Sequence, residues 1–172
     1  MTQSGGMRTQ VVVATCAGLI VGSLGVLGCQ PPAAQEAGSE SAGAAPARRV
    51  IRPEKSPDIG LPYSPGILAG NTLYIAGHLG RDPVTGQLVP GGIEAEARQS
   101  LANIREVLLA ADMYFKDVTN VTVYITDFKE FAAFNTLYRE YFPSDQPARA
   151  TVQVAALNGG ARIELQMIAV KP

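Results

Sequence analysis

From about residue 50 onward, hydrophobic and polar positions fall into short alternating runs separated by two helical patterns. Ile67-Leu68-Ala69, the Gly70-Asn71 pair and Thr72 to Gly77 predict two strands joined by a tight turn. Asp82-Pro83-Val84-Thr85-Gly86 is a turn cluster. Ala97, Leu101, Ile104 and Leu108 then recur at helical spacing and predict a helix over Ile93 to Ala111. Lys116 to Thr126 alternates, with Val121, Val123 and Ile125 on one side and Asn120, Thr122 and Tyr124 on the other, the pattern of a strand with one buried face. Asp127-Phe128-Lys129-Glu130 is an acidic variant of the capping box. It opens a second helix whose apolar face is Phe131, Phe134, Tyr138 and Tyr141 and which Phe142-Pro143 ends. These aromatics read as core. Two further strands follow, Ala148 to Val154 and Arg162 to Val170, with Gly159-Gly160 as a hairpin turn between them.

The order β-β-α-β-α-β-β predicts an α+β fold in which two helices cover the apolar face of a mixed sheet. Arg149, Thr151, Gln153, Glu164, Gln166, Asn120 and Thr122 are expected together on the opposite, polar face. A polar face with Thr, Val and Tyr interleaved suits an interface between subunits.

Composition changes the picture mainly at the front of the chain. The 172 residues carry 14 Lys+Arg against 15 Asp+Glu, one His, two Cys and no Trp, with 47% hydrophobic and 17% charged residues. The near balance of charge gives no general electrostatic reason to bind nucleic acid or an anionic membrane. The apolar excess sits in Val11 to Leu27, which contains no charge and follows Arg8, the layout of a secretory signal. Val26-Leu27-Gly28-Cys29 resembles the bacterial lipobox, in which a lipidated Cys becomes the mature N-terminus. An uncleaved membrane anchor and cleavage by an ordinary signal peptidase are the competing readings.

On the lipoprotein reading the chain divides into a signal peptide over 1–28, a lipidated Cys29 with a tether over 29–50, and a domain over 51–172. It is then an exported, membrane-anchored lipoprotein whose domain faces the periplasm or the outside. Residues 30–50 are rich in Ala, Pro, Gly, Ser and Glu and have no periodic apolar face, so they read as a disordered tether. Their r.m.s. reach is roughly 25 Å. Cys16 leaves with the signal and Cys29 carries lipid, so the domain holds together by its core and not by disulfides.

Several separated segments of the domain together resemble one family. Pro147-Ala148-Arg149-Ala150-Thr151-Val152 followed by Ile163-Glu164-Leu165 resembles the C-terminal signature of the Rid family, the reactive intermediate deaminases, also called YjgF-type. Gly60-Leu61-Pro62-Tyr63-Ser64 resembles its Gly-Pro-Tyr-Ser segment, and Gly70 to Gly77 its first hairpin. Asp82 to Gly86 resembles its Pro-x-x-Gly loop. Ala95, Arg98 to Leu101, Asn103 and Ile104 resemble its first helix; Phe131, Asn135 and Tyr138 fit its second. The resemblance implies a chorismate-mutase-like fold assembled as a homotrimer, with sites in the clefts between subunits. It implies hydrolysis of small enamines and imines, such as 2-aminoacrylate and 2-aminocrotonate, to 2-oxo acids and ammonia, with no metal or organic cofactor.

By that resemblance Arg149 binds the substrate carboxylate, a task suited to a planar, permanently charged guanidinium. Glu164 positions or activates the attacking water. Tyr63 and Asn135 reach the substrate, while Thr151, where relatives often have Cys, and Ala76 line the wall. Relatives often read Ser-Gly-Gln where this chain has Ala76-Gly77-His78, and Pro65 and Leu61 also depart from the pattern. These departures bear on substrate preference more than on the reaction. His78 reads as a surface or interface residue; a lone His with no companion ligands does not make a metal site. The alternatives to hydrolysis are a non-catalytic module that binds small 2-oxo or amino acids, and RNA cleavage, which the charge balance and the absence of a basic stripe oppose.

Overall fold

The computed structural model describes residues 47–54 and 62–171. The predicted signal, Cys29 and most of the tether lie outside the described residues, as do Gly60 and Leu61. The strands are β1 (Arg48–Ile51), β2 (Gly66–Ala69), β3 (Thr72–Leu79), β4 (Val118–Ile125), β5 (Ala148–Gln153) and β6 (Ile163–Val170). The helices are α1 (Gly92–Ala110), between β3 and β4, and α2 (Phe131–Tyr141), between β4 and β5.

The six strands form one sheet in the order β1-β2-β3-β6-β4-β5. Only β4 and β5 run parallel; the other neighbours are antiparallel. The fold class is the predicted one, a mixed sheet with two helices. β1, which the sequence pattern leaves in the tether, adds an edge through pairs such as Val50 with Ile67. Lys116 and Asp117 stand in a short 3-10 turn before β4 and not in the strand itself.

Ala97, Leu101, Ile104 and Leu108 of α1 are all fully buried, as the helical spacing requires. They meet Leu73 and Ile75 of β3, Val121, Val123 and Ile125 of β4, and Leu165 and Met167 of β6. Two local expectations change. Asp127 does cap, its Oδ1 accepting from the Lys129 N–H at 2.9 Å, but it caps a 3-10 turn over Phe128–Glu130. Glu130 does not fold back to complete the box; it pairs with Arg162 at 2.7 Å, and α2 starts one residue later. Gly159 and Gly160 have the expected positive φ, 70° and 77°. They do not form a hairpin, because β4 lies between β5 and β6.

Candidate functional site

Register decides which side chains can meet. Val121, in the core, pairs with Met167 on one side and with Arg149 on the other. Val123 likewise pairs with Leu165 and Thr151. Arg149, Thr151 and Gln153 therefore lie on the helix-covered face, and the expectation that they share the open polar face with Glu164 is corrected. The alternation of β5 is real, but it cannot say which side is inward. As an edge strand, β5 is covered only by α2, so a half-buried Arg and Thr are tolerated there while Val152, on the other side, is 42% exposed. Glu164 pairs with Tyr124 and stands on the open face with Gln166 and Thr122.

Around Arg149 the structure builds a fixed cation. Its Nη2 donates to Asn135 Oδ1 at 2.8 Å. Its guanidinium carbon lies 4.6 Å from the centre of the Tyr138 ring and 5.7 Å from those of Phe131 and Phe134. Three π faces and one amide oxygen thus hold the charge without neutralising it. Phe131, Asn135 and Tyr138 follow one another at i, i+4 and i+7, so α2 turns one stripe toward the end of β5. Aromatics first assigned to the core therefore also support the arginine, and that helical spacing was the available signal. Beside them opens a cleft of about 530 Å3 lined by Asn135, Tyr138, Arg139, Gln146, Pro147 and Arg149. The Tyr138 hydroxyl is buried with no hydrogen-bond partner among the described residues. Burial pushes this phenol up to about 12, partly opposed by the charge of Arg149.

Glu164 belongs to a second cluster. The register of β3 against β6 slips between Ile75 and His78, and the Glu164 carboxylate packs over Gly77, where any Cβ would collide with its Oε1. Glycine at 77 is thus a steric requirement of the carboxylate's position. Burial raises the Glu164 carboxyl above the ordinary carboxylate range. Ala76, beside Gly77, donates its N–H to the Pro65 carbonyl at 3.0 Å, which brings in the segment carrying Tyr63, 53% exposed. The sequence-predicted residues therefore fall into two groups: Arg149 and Thr151 of β5 on the helix-covered face with Asn135 of α2, and Glu164 and Ala76, with the Tyr63 segment, along β3 and β6.

His78 is half-buried and not freely exposed. It pairs with the buried Leu165, its Nε2 is buried without a partner among the described residues, and desolvation lowers its pKa to about 4 against a hydrogen bond to Pro65. Among the described residues no group of three His, Cys, Asp or Glu could hold a metal ion.

A family model described as endoribonuclease L-PSP matches residues 53–171. The chain is 49% identical over 124 residues to a protein of Capra hircus named 2-iminobutanoate/2-iminopropanoate deaminase, covering 72% of this chain and 90% of that one. Among solved structures it resembles a protein of unknown function of the conserved Rid family from Yersinia pestis, with TM-score 0.69, 37% identity and coverage of 73% and 100%. It also resembles the E. coli protein TdcF with bound serine, with TM-score 0.67, 31% identity and coverage of 72% and 99%.

Proposed function

The chain belongs to the endoribonuclease L-PSP, or Rid, family, and on that premise we propose that it hydrolyses small 2-imino acids and their enamine tautomers to 2-oxo acids and ammonia. The observation that carries this reading is the guanidinium of Arg149, fixed by Asn135 and three rings at the lip of a cleft whose lining holds no carboxylate. Such a group receives a substrate carboxylate through paired N–H donors. It thereby presents the adjacent imine carbon in one orientation.

In the reaction water adds to the C=N carbon and a proton passes to nitrogen, giving a carbinolamine. Collapse of the carbinolamine breaks the C–N bond and releases ammonia and the 2-oxo acid. Glu164 is the group we assign to that water. Its raised pKa makes it a better proton acceptor than an ordinary carboxylate once ionised, and general-base help of this kind contributes about 10²–10⁴-fold. Tyr63, Ala76 and Thr151 line the substrate's surroundings in this reading.

Arg149 and Glu164 cannot act on one substrate within a single protomer. They lie on opposite faces, two strand spacings or roughly 10 Å apart across the sheet, and three residues or about 10 Å apart along it. A site shared between subunits of a homotrimer removes the difficulty, with Arg149 from one protomer and Glu164 from its neighbour.

The same separation favours a second reading, a carboxylate-binding module without hydrolytic activity. The experiment that decides generates 2-aminoacrylate in situ and follows its trapping by semicarbazide, with full-length protein and its Arg149→Ala variant side by side. Suppression of trapping by the wild type alone supports hydrolysis. No suppression by either, with thermal stabilisation of the wild type by 2-oxo acids, identifies a binder.

We also propose that Cys29 carries lipid and that the domain is exported on its tether. Metabolic palmitate labelling of the wild type and not of Cys29→Ala is the expected result. Equal labelling of both proteins removes the proposal.

A further inference from the structure

The cleft beside Arg149 contains a second cation for which hydrolysis of a monocarboxylic imine has no use. Its lining carries two guanidinium groups, Arg139 and Arg149, two carboxamides, a phenol and a proline. Arg149 is held in place by Asn135 and Tyr138. Arg139 is exposed and, among the described residues, makes no ion pair or hydrogen bond. The acid next to it in sequence, Glu140, is taken by Arg98 through two bonds of 2.7 and 2.9 Å. Gln146 is pinned by its Nε2, which donates to the carbonyls of Phe142 and Pro143 at 3.3 Å each, so this wall of the cleft is tied down.

Helical geometry gives the spacing. Arg139 follows Asn135 by four residues on α2, so the two share a face with Cβ atoms about 5–6 Å apart. Asn135 is the residue that grips Arg149, and both guanidinium-bearing side chains line the one cleft. Two cations bordering one cleft suit the two carboxylates of a small diacid.

We infer that this cleft selects small 2-oxo and 2-imino diacids over monoacids of the same length, with Arg149 taking the carboxylate beside the reacting carbon and Arg139 the distal one. The inference rests on the reading of Arg149 as the carboxylate anchor and extends it to substrate class. Because Arg139 is exposed, the second contact is screened by salt and is expected to contribute about two- to fivefold in affinity at low ionic strength.

The test titrates full-length protein with 2-oxoglutarate and with 2-oxopentanoate, which share a five-carbon chain and differ in the terminal carboxylate. Calorimetry at low salt should show the diacid binding about two- to fivefold more tightly, with the ratio shrinking as salt is added. Arg139→Gln, at an exposed position that leaves folding intact, should bring the ratio close to one. Arg139→Lys keeps the charge and should keep most of the preference. A wild-type ratio of one or below, a ratio unmoved by Arg139→Gln, or no binding of either acid overturns the inference. Binding is read without turnover. A protein that hydrolyses imines yet binds both acids equally loses only this inference. One that prefers the diacid and hydrolyses nothing keeps it and loses the hydrolytic reading.

Discussion

Arg149 and Glu164 stand on opposite faces of one sheet, with β4 between their strands. If each serves the reaction, each serves it with a different copy of the chain, and two defects can complement. Arg149→Ala and Glu164→Gln should each be inactive alone. Refolding or co-expressing them in equal amounts should restore about a quarter of the wild-type activity, because that share of shared sites draws both intact residues from different protomers. No recovery in demonstrably mixed oligomers would remove the two-protomer site.

The hold on Arg149 can be separated into its parts. Asn135→Ala leaves the rings and removes the amide acceptor, freeing the guanidinium to wander. KM for 2-iminobutanoate should rise about tenfold with kcat changed far less, the pattern of a lost ground-state binding contact. A fall in kcat at unchanged KM would place Asn135 on the reacting atoms instead.

Tyr138→Phe asks what the buried hydroxyl does. The ring face that meets Arg149 survives, and a hydroxyl with no partner among the described residues is lost. Removing such a group relieves a desolvation cost, so unfolding free energy should rise by about 1 kcal/mol with activity retained. Destabilisation by a similar amount, measured by denaturant titration, would show that the hydroxyl has a partner beyond the described residues.

The elements themselves were legible because period-two and period-3.6 patterns report burial, and α1 and β4 fall close to where Leu101, Ile104, Val121 and Val123 place them. What alternation could not report was sign. In β5, Arg149-Ala150-Thr151-Val152 alternates cleanly, yet the polar set is the inward one, because an edge strand under an aromatic helix can bury a cation against rings. β1 was missed because Arg48-Arg49-Val50-Ile51 is too short and too charged to show a period. The support of Glu164 by Gly77 was invisible for a different reason: it depends on a slip in the β3–β6 register that no local pattern encodes.

That support is itself testable. Gly77→Ala adds one methyl group where the Glu164 carboxylate now lies. The side chain is flexible enough to move aside, so the fold should survive while the base is displaced. Activity should drop by about 10²-fold, at the lower end of what general-base help contributes, with little change in thermal stability. Near wild-type activity in Gly77→Ala would show that the placement of Glu164 over this glycine is unimportant.

Acid lability offers the last test, because His78 and Glu164 act with opposite sign. His78 has a folded pKa of about 4 against 6.5 for the free side chain. As pH falls below 6.5 the unfolded chain takes up a proton that the folded one refuses, so stability is lost progressively down to about pH 4. The loss approaches about 3 kcal/mol. Glu164 has a raised pKa, so between its ordinary and its raised value the folded state holds the extra proton and stability falls as pH rises. Its partial exposure makes this the smaller effect. The wild-type Tm should therefore decline from pH 7 to pH 4.5, and His78→Gln should flatten that decline whatever it does to the Tm at neutral pH. A wild-type Tm that holds steady across this window would mean that the imidazole becomes protonated in the folded protein, with an acceptor for its Nε2 that the described residues do not provide.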